Sequence, residues 1–177
     1  MEHAALSREE RAKPVPTSAE RRVFLELVDS HGSAIVGMLR RLCGNPHDAD
    51  DVFQETAVRV WRNLPNRPRL RNPRGWLATI AYRCFLDHCR RRSDHGGLEE
   101  APDHRRKAPD DQAEHSEDCG RLNAAVNELP EPVRQVVALH YTGGLTLGET
   151  ARVMGIAIGT VKSRLNSALE KLRSILQ

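Results

Sequence analysis

The chain has 177 residues, with 27 basic and 24 acidic side chains and a formal net charge of +3, too small to name a partner. No apolar run approaches the roughly 18 residues that span a bilayer, and Met1 to Lys13, mixed in charge and without an apolar stretch, read against a secretory signal. Aromatic residues make up 4% of the chain, which supplies one large core poorly and fits two small helical units better.

Every periodic segment has helical spacing, so the predicted fold is all-α. Residues 1–17, with Pro14 and Pro16, read as a loose tail. Val23, Phe24, Leu27 and Val28, then Ile35, Leu39 and Leu42, mark one or two helices ending near Gly44. Asn45-Pro46 is a helix start, a capping side chain followed by a residue suited to the first helical position. The helix after it places Ala49, Val52, Phe53, Val60, Trp61 and Leu64 inward, with Asp48, Asp51, Gln54 and Glu55 on the opposite side. A proline- and arginine-rich loop leads to a second cap signal, Asn72-Pro73, and to a helix reaching about Arg92. Its apolar stripe is Trp76, Leu77, Ile80, Ala81, Cys84 and Phe85.

Residues 93–119 hold nine acids and Leu98 as the sole large apolar residue, and read as a flexible acidic linker between units at 18–92 and 120–177. In the second unit, Leu122, Val126 and Leu129 begin a helix that Pro130 ends, and Pro132 opens another with Val133, Val136, Val137 and Leu139. Thr142-Gly143-Gly144 is a turn, Leu145 to Met154 a short helix, Gly155 a break, and Gly159 to about Leu176 a long helix. Val161, Leu165, Ala168 with Leu169, Leu172 and Ile175 with Leu176 form the buried stripe of that long helix. The segment from Leu145 to Leu165 has the layout of a helix-turn-helix, with Ala151 at the crossing, Ile156 and Ile158 between the helices, and Thr160, Lys162, Ser163 and Arg164 facing outward. An N-terminal helix end can donate N–H groups to phosphate, and Arg or Lys can reach base edges. The alternative is an αα-hairpin packing on another protein.

Charge is strongly segregated. Residues 44–61 have four acids and one base, and residues 62–92 have nine bases and one acid. The linker has nine acids and three bases, and residues 120–177 have seven bases and four acids. A net +8 over 31 residues, with Trp76 and Tyr82 nearby, combines phosphate attraction with flat rings that can stack on bases, although Trp76 itself lies on the apolar stripe and is expected in the core.

These motifs carry a family resemblance. Gly144-Leu145-Thr146, Met154-Gly155-Ile156 and Gly159-Thr160-Val161-Lys162-Ser163-Arg164-Leu165 resemble region 4.2 of bacterial RNA polymerase sigma factors of the extracytoplasmic-function (ECF) group. Asp48-Ala49-Asp50-Asp51-Val52-Phe53-Gln54-Glu55-Thr56 is similar to region 2.2, and Pro73-Arg74-Gly75-Trp76-Leu77 through Arg90-Arg91-Arg92 to regions 2.3 and 2.4. The resemblance implies a non-catalytic, cytoplasmic chain, monomeric when free and without metal or cofactor. Such a chain binds core RNA polymerase, directs it to promoter DNA, and is often held by an anti-sigma factor. It places polymerase docking on Asp48, Asp51, Gln54 and Glu55. Minus-ten DNA contacts fall to Arg74, Arg83, Asp87, Arg90 and Arg91, with the arginine run at 90–92 on phosphate. Thr160, Lys162, Ser163 and Arg164 take the minus-thirty-five element, and residues 120–141 the polymerase flap. The loop from Asn66 to Arg71 is the place of base capture. Arg83 stands where the family usually has Asn, and Gly148 and Thr150 where a helix-favouring acid and Ile are usual, which predicts a weak first helix in the helix-turn-helix.

Two other classes compete with this one. A dimeric stand-alone regulator would use the helix-turn-helix alone, but leaves the helix at 48–64 and the basic helix after it without a purpose. A metal enzyme would use Cys84 and His88, four apart on one helical face, with Cys89. There is no paired CxxC and no HExxH to support it. The four cysteines, Cys43, Cys84, Cys89 and Cys119, are expected as free thiols.

Overall fold

A computed structural model describes residues 17–66, 70–94 and 117–176. Residues 1–16 of the tail and 95–116 of the linker therefore lie outside the described residues, as do Arg67 to Arg69 of the basic loop. The elements are α1 (Ser18–Cys43), α2 (Pro46–Asn63), α3 (Pro73–Asp94), α4 (Glu117–Asn127), α5 (Glu131–Val137), α6 (Leu147–Met154) and α7 (Ile158–Leu176). A 3₁₀ turn, Leu64–Asn66, follows α2, and a π turn, Ala138–Thr142, continues α5. The first segment is one long helix, and α4 begins three residues inside the stretch read as linker.

The helices begin where their capping chemistry dictates. The Thr17 hydroxyl accepts from the Glu20 N–H at 3.3 Å while the Glu20 carboxylate accepts from the Thr17 N–H at 2.6 Å. Asn45 Oδ1 accepts from the Asp48 N–H at 2.8 Å. Asn72 Oδ1 accepts from the Gly75 N–H at 2.9 Å. Each satisfies a donor that the first turn leaves orphaned.

Helices α1, α2 and α3 form a three-helix unit around Ile35, Met38, Leu39, Val52, Val60, Leu77, Ala81 and Cys84. Phe24 and Trp61 close its outer end edge to face, with ring centroids 5.3 Å apart. Helices α4 to α7 enclose a smaller core of Val126, Leu129, Val136, Ala151, Val161, Leu165 and Ala168. The long apolar stripe of α7 is narrower than predicted, since Leu169 is 40% exposed; Ile158, expected between the helices, is 49% exposed, and Leu122 of α4 is 44% exposed. Helical periodicity marks the centre of a buried face well and its edges poorly.

The two units are in contact. Ala138, Leu139 and Leu145 of the second unit are buried in the core of the first, and Met154 packs against both cores. Gly143 makes this approach possible: a Cβ there would stand 2.9 Å from Met38 Sδ and 3.1 Å from Ala78 Cβ. Polar bonds surround the apolar contact. Arg134, 3% exposed, donates across the boundary to the Arg41 carbonyl at 3.1 Å. Arg41 donates to Asn123 Oδ1 at 2.7 Å, and the Tyr82 hydroxyl to Gln135 Oε1 at 3.1 Å. Tyr82, read as a ring available for stacking, is 3% exposed and belongs to the core.

Helix α6 is better held than its glycine suggests. The Thr146 hydroxyl accepts from the Glu149 N–H at 3.2 Å and the Glu149 carboxylate accepts from the Thr146 N–H at 2.8 Å, completing a capping box. Thr150, fully buried, donates to the Thr146 carbonyl at 2.9 Å, so its hydroxyl is satisfied where an apolar residue would otherwise sit. A Cβ at Gly148 would meet open space. Gly148→Ala is therefore expected to stabilise the protein by about 0.5–1 kcal/mol. Truncating the shared core at Leu139→Ala is expected to cost about 2–5 kcal/mol. Urea unfolding of the two variants measures both, and a neutral Leu139→Ala would mean that the contact between the units does not support the fold.

Candidate nucleic-acid interface

The helix-turn-helix is built as its sequence dictates. α6 ends at Gly155 in the left-handed conformation, φ +66°, where a Cβ would be strained. The Ile156 N–H returns to the Ala151 carbonyl at 3.0 Å and fixes the turn. The Val161 N–H then bonds the Ala157 carbonyl, and Val161, Leu165 and Ala168 turn inward. Lys162 and Ser163 are exposed on the opposite face; Thr160 and Arg164 are half-buried. Ser163 donates its hydroxyl to the Thr160 carbonyl at 3.0 Å, and Arg164 lies near enough for its charge to act on Tyr82 of the first unit.

The other predicted site residues divide between solvent and internal bonds. Arg83 is exposed. Asp87 is held by Arg59 at 2.8 Å and by Arg90 at 3.1 Å. Arg74 is bound within the molecule: its Nε and Nη2 donate to the Thr142 carbonyl, at 3.1 and 2.5 Å. Beside it, Asn72 Nδ2 donates to the Gly144 carbonyl at 3.1 Å.

The acidic face of α2 is likewise shared. Asp51 and Gln54 are exposed, but Asp48 pairs with Arg92 and lies 3.5 Å from His88 Nε2, and Glu55 pairs with Arg91 at 2.6 Å and with Arg59 at 2.5 Å. The basic end of α3 and the acidic face of α2, read as surfaces for separate partners, are thus one network. Periodicity could not reveal this, because the charges lie on different helices brought together by the core. The spacing of Arg91 and Arg92 on a helix antiparallel to α2 is the signal that would have found it.

Burial pushes the Glu55 carboxyl up, but the hydrogen bonds and charges of Arg91 and Arg59 outweigh it and hold the group below the ordinary 4.5. At Cys43, burial first, with Asp48 and Cys89 adding to it, pushes the thiol up to about 12, so it is no nucleophile at neutral pH. Cys84 faces Thr56 and His88 faces Asp48, so the pair weighed as metal ligands is not brought together. Among the described residues no group of three His, Cys, Asp or Glu is placed to hold a metal ion, and no helix is long and apolar enough to cross a membrane.

A depressed carboxyl stabilises the fold above its unfolded pKa, and that contribution is lost as pH falls through the folded value. Glu55→Gln is therefore expected to lower stability at pH 7 and to match the parent chain near pH 3. Chemical denaturation at the two values checks this; a gap of equal size at both would mean that the ion pairs contribute nothing.

Comparison with known proteins agrees with this two-unit organisation. The Sigma-70 region 2 family model matches residues 27–95, and the Sigma-70, region 4 model matches residues 119–172. The chain is 31% identical over 164 residues to the ECF RNA polymerase sigma factor SigL of Mycobacterium tuberculosis, covering 90% of this chain and 92% of SigL. It is 35% identical over 158 residues to the ECF RNA polymerase sigma factor SigE of Mycolicibacterium smegmatis, covering 85% of this chain but 60% of that longer relative. Among solved structures, CnrH in complex with the cytosolic domain of CnrY matches with a TM-score of 0.57 and 27% identity, over 88% of each chain.

Proposed function

Since this chain belongs to the ECF group of RNA polymerase sigma factors, we propose that it binds core RNA polymerase and directs it to promoters by reading minus-ten and minus-thirty-five elements, without catalysis of its own. The observation that carries the reading is the occurrence in one chain of two units: a region 2 three-helix unit and a region 4 helix-turn-helix whose recognition helix opens with exposed Lys162 and Ser163. A helix so placed enters the major groove by its N-terminal residues. Lys162 and Ser163 supply phosphate and base-edge donors there, with Thr160 and Arg164 beside them.

In the first unit, the exposed Asp51 and Gln54, flanked by Asp48 and Glu55, form the polymerase-docking face. Arg83 and Arg90 are exposed toward promoter DNA, with Asp87 and Arg91 engaged alongside; Arg74 contacts DNA once its internal acceptor is given up. The units span 18–92 and 120–177, joined by the acidic segment 93–119. The protein acts in the cytoplasm as a monomer. An anti-sigma factor is a fitting partner, since CnrH, similar in fold and sequence, is known in complex with CnrY.

Run-off transcription with core polymerase on a randomised promoter library tests the function and reveals the preferred elements together. Gel filtration with core polymerase is the simpler control, and failure to co-elute would sink the reading. Arg164→Ala is expected to cost about 1–3 kcal/mol of discrimination at one promoter position. Lys162→Ala is expected to weaken binding to all sequences and to reduce the salt slope by about one. Uniform weakening by Arg164→Ala would make Arg164 a phosphate contact instead.

A further inference from the structure

We infer that Arg83 is a specificity-determining residue of the first unit: from the middle of α3 it takes the O6 and N7 acceptors of one paired guanine and so sets a G·C preference within the minus-ten region. The inference rests on the sigma-factor reading above and adds the base that this unit selects.

Helix α3 carries five arginines, and the fold engages four of them. Arg74 gives Nε and Nη2 to the Thr142 oxygen. Arg90 donates to Asp87 Oδ1 at 3.1 Å, Arg91 to Glu55 Oε2 at 2.6 Å, and Arg92 to Asp48. Arg83 is exposed and, among the described residues, has no hydrogen-bond or ion-pair partner.

The nearest carboxylate is denied to it. Residues four apart on a helix face each other, so Asp87 is the group that would ordinarily close on Arg83. Both oxygens of Asp87 are already taken, Oδ2 by Arg59 of α2 at 2.8 Å and Oδ1 by Arg90 at 3.1 Å. Arg59 is in turn fixed on Glu55. The network thus neutralises the carboxylate beside Arg83 and leaves this guanidinium with its donors unpaired.

The surroundings of Arg83 suit a base better than a phosphate. Three and four residues to either side, the same face presents Thr79, Ile80, Leu86 and Asp87, with Trp76 and Arg90 one turn further out. Thr79, Ile80 and Leu86 are half-buried, and Thr79 keeps its hydroxyl on the Gly75 carbonyl at 2.8 Å. Phosphate attraction grows with the number of cations, and the cations cluster at the end of the helix, from Arg90 to Arg92. Arg83 stands apart from them, roughly 10 Å back along the axis at 1.5 Å per residue. A major groove about 12 Å wide admits a helix in that attitude. With the basic end against the phosphates of one wall, Arg83 stands over the groove floor. There the guanidinium fork matches O6 and N7 of guanine, whereas adenine sets an amino donor beside its N7 and opposes the second N–H.

The test uses the full chain with core RNA polymerase and the randomised promoter library. The parent chain is expected to enrich a G·C pair at one minus-ten position. Arg83→Ala is expected to flatten that preference at least tenfold, on the order of a 1.4 kcal/mol change, and to leave the minus-thirty-five preference unchanged. Arg90→Ala is expected to lower transcription from all library members by a common factor. On the selected promoter, 7-deazaguanine at that position removes N7 and keeps the pairing. It is expected to weaken binding by the parent holoenzyme about tenfold and by the Arg83→Ala holoenzyme less than about twofold. Inosine, which keeps O6 and N7 and lacks the minor-groove amino group, is expected to bind within about twofold of guanine. The inference is overturned by absence of a G·C preference, by a preference that survives Arg83→Ala, by equal losses on all sequences, or by equal 7-deazaguanine penalties in the two proteins. If the parent chain directs transcription from no library member, the sigma-factor reading itself fails and the inference falls with it, a result distinct from loss of one base preference.

Discussion

The relation between the two units turns on how one buried cation is satisfied. Arg134 carries five donors and no acceptor, and burial lowers its readiness to hold a proton, with only the charge of Glu131 opposing that effect. Carbonyl oxygens solve part of the problem, engaging Nε and Nη1, while Nη2 is buried without a partner among the described residues. Nη1 donates to the Leu129 and Asn127 oxygens at 3.2 and 3.4 Å, at the end of α4, and Nε to the Arg41 oxygen, at the end of α1. These oxygens are orphaned by helix geometry and lie at negative helix ends, so the cation and the carbonyls each supply what the other lacks. Two of the three bonds lie within the second unit. Parting the units would break one and leave the guanidinium held by the others, with water replacing the Arg41 oxygen.

The apolar part of the boundary has the same character. Ala138, Leu139 and Leu145 enter the first core, but Val136, Val161, Leu165 and Ala168 keep a separate core in the second unit. Contacts between domains of one chain commonly resemble transient interfaces, and relative motion is expected unless they are large and apolar. Here Ala138, Leu139 and Leu145 carry the apolar contact, and its polar fringe uses both main-chain and side-chain acceptors. The surface charge follows a similar economy. Arg91, Arg92 and Arg59 hold Glu55, Asp48 and Asp87. Exposed pairs of this kind contribute little each, so they orient the side chains of α2 more than they hold the helices together, and they can exchange partners when a larger charged surface arrives.

Much of this was legible in the sequence because it depends on side-chain identity. Asn45-Pro46 and Asn72-Pro73 announce helix starts, Gly155 announces a left-handed turn, and the apolar spacing of α1, α2 and α7 places most of each buried face. Tyr82, Thr56 and Thr150 were less legible. A hydroxyl marks a residue as polar, whereas each here is buried with its hydroxyl bonded: Tyr82 to Gln135, and the two threonines to carbonyls four residues back. The pairing of α2 acids with α3 arginines was hidden for a different reason. Net charge by segment treats neighbouring charge blocks as independent, but antiparallel packing brings blocks of opposite sign together.

The role of Arg74 was hidden most deeply, and its case is general. Its acceptor is the main-chain oxygen of Thr142, a group that every residue possesses. Residue 142 itself carries no sign of the interaction; the sign lies in its setting, a π turn that leaves the oxygen unpaired and two glycines that let it approach. The motif around Arg74 is equally compatible with a DNA contact and with this internal bond, since both ask only for a guanidinium at the start of α3. Sequence therefore specifies the donor, while the fold decides which acceptor it meets.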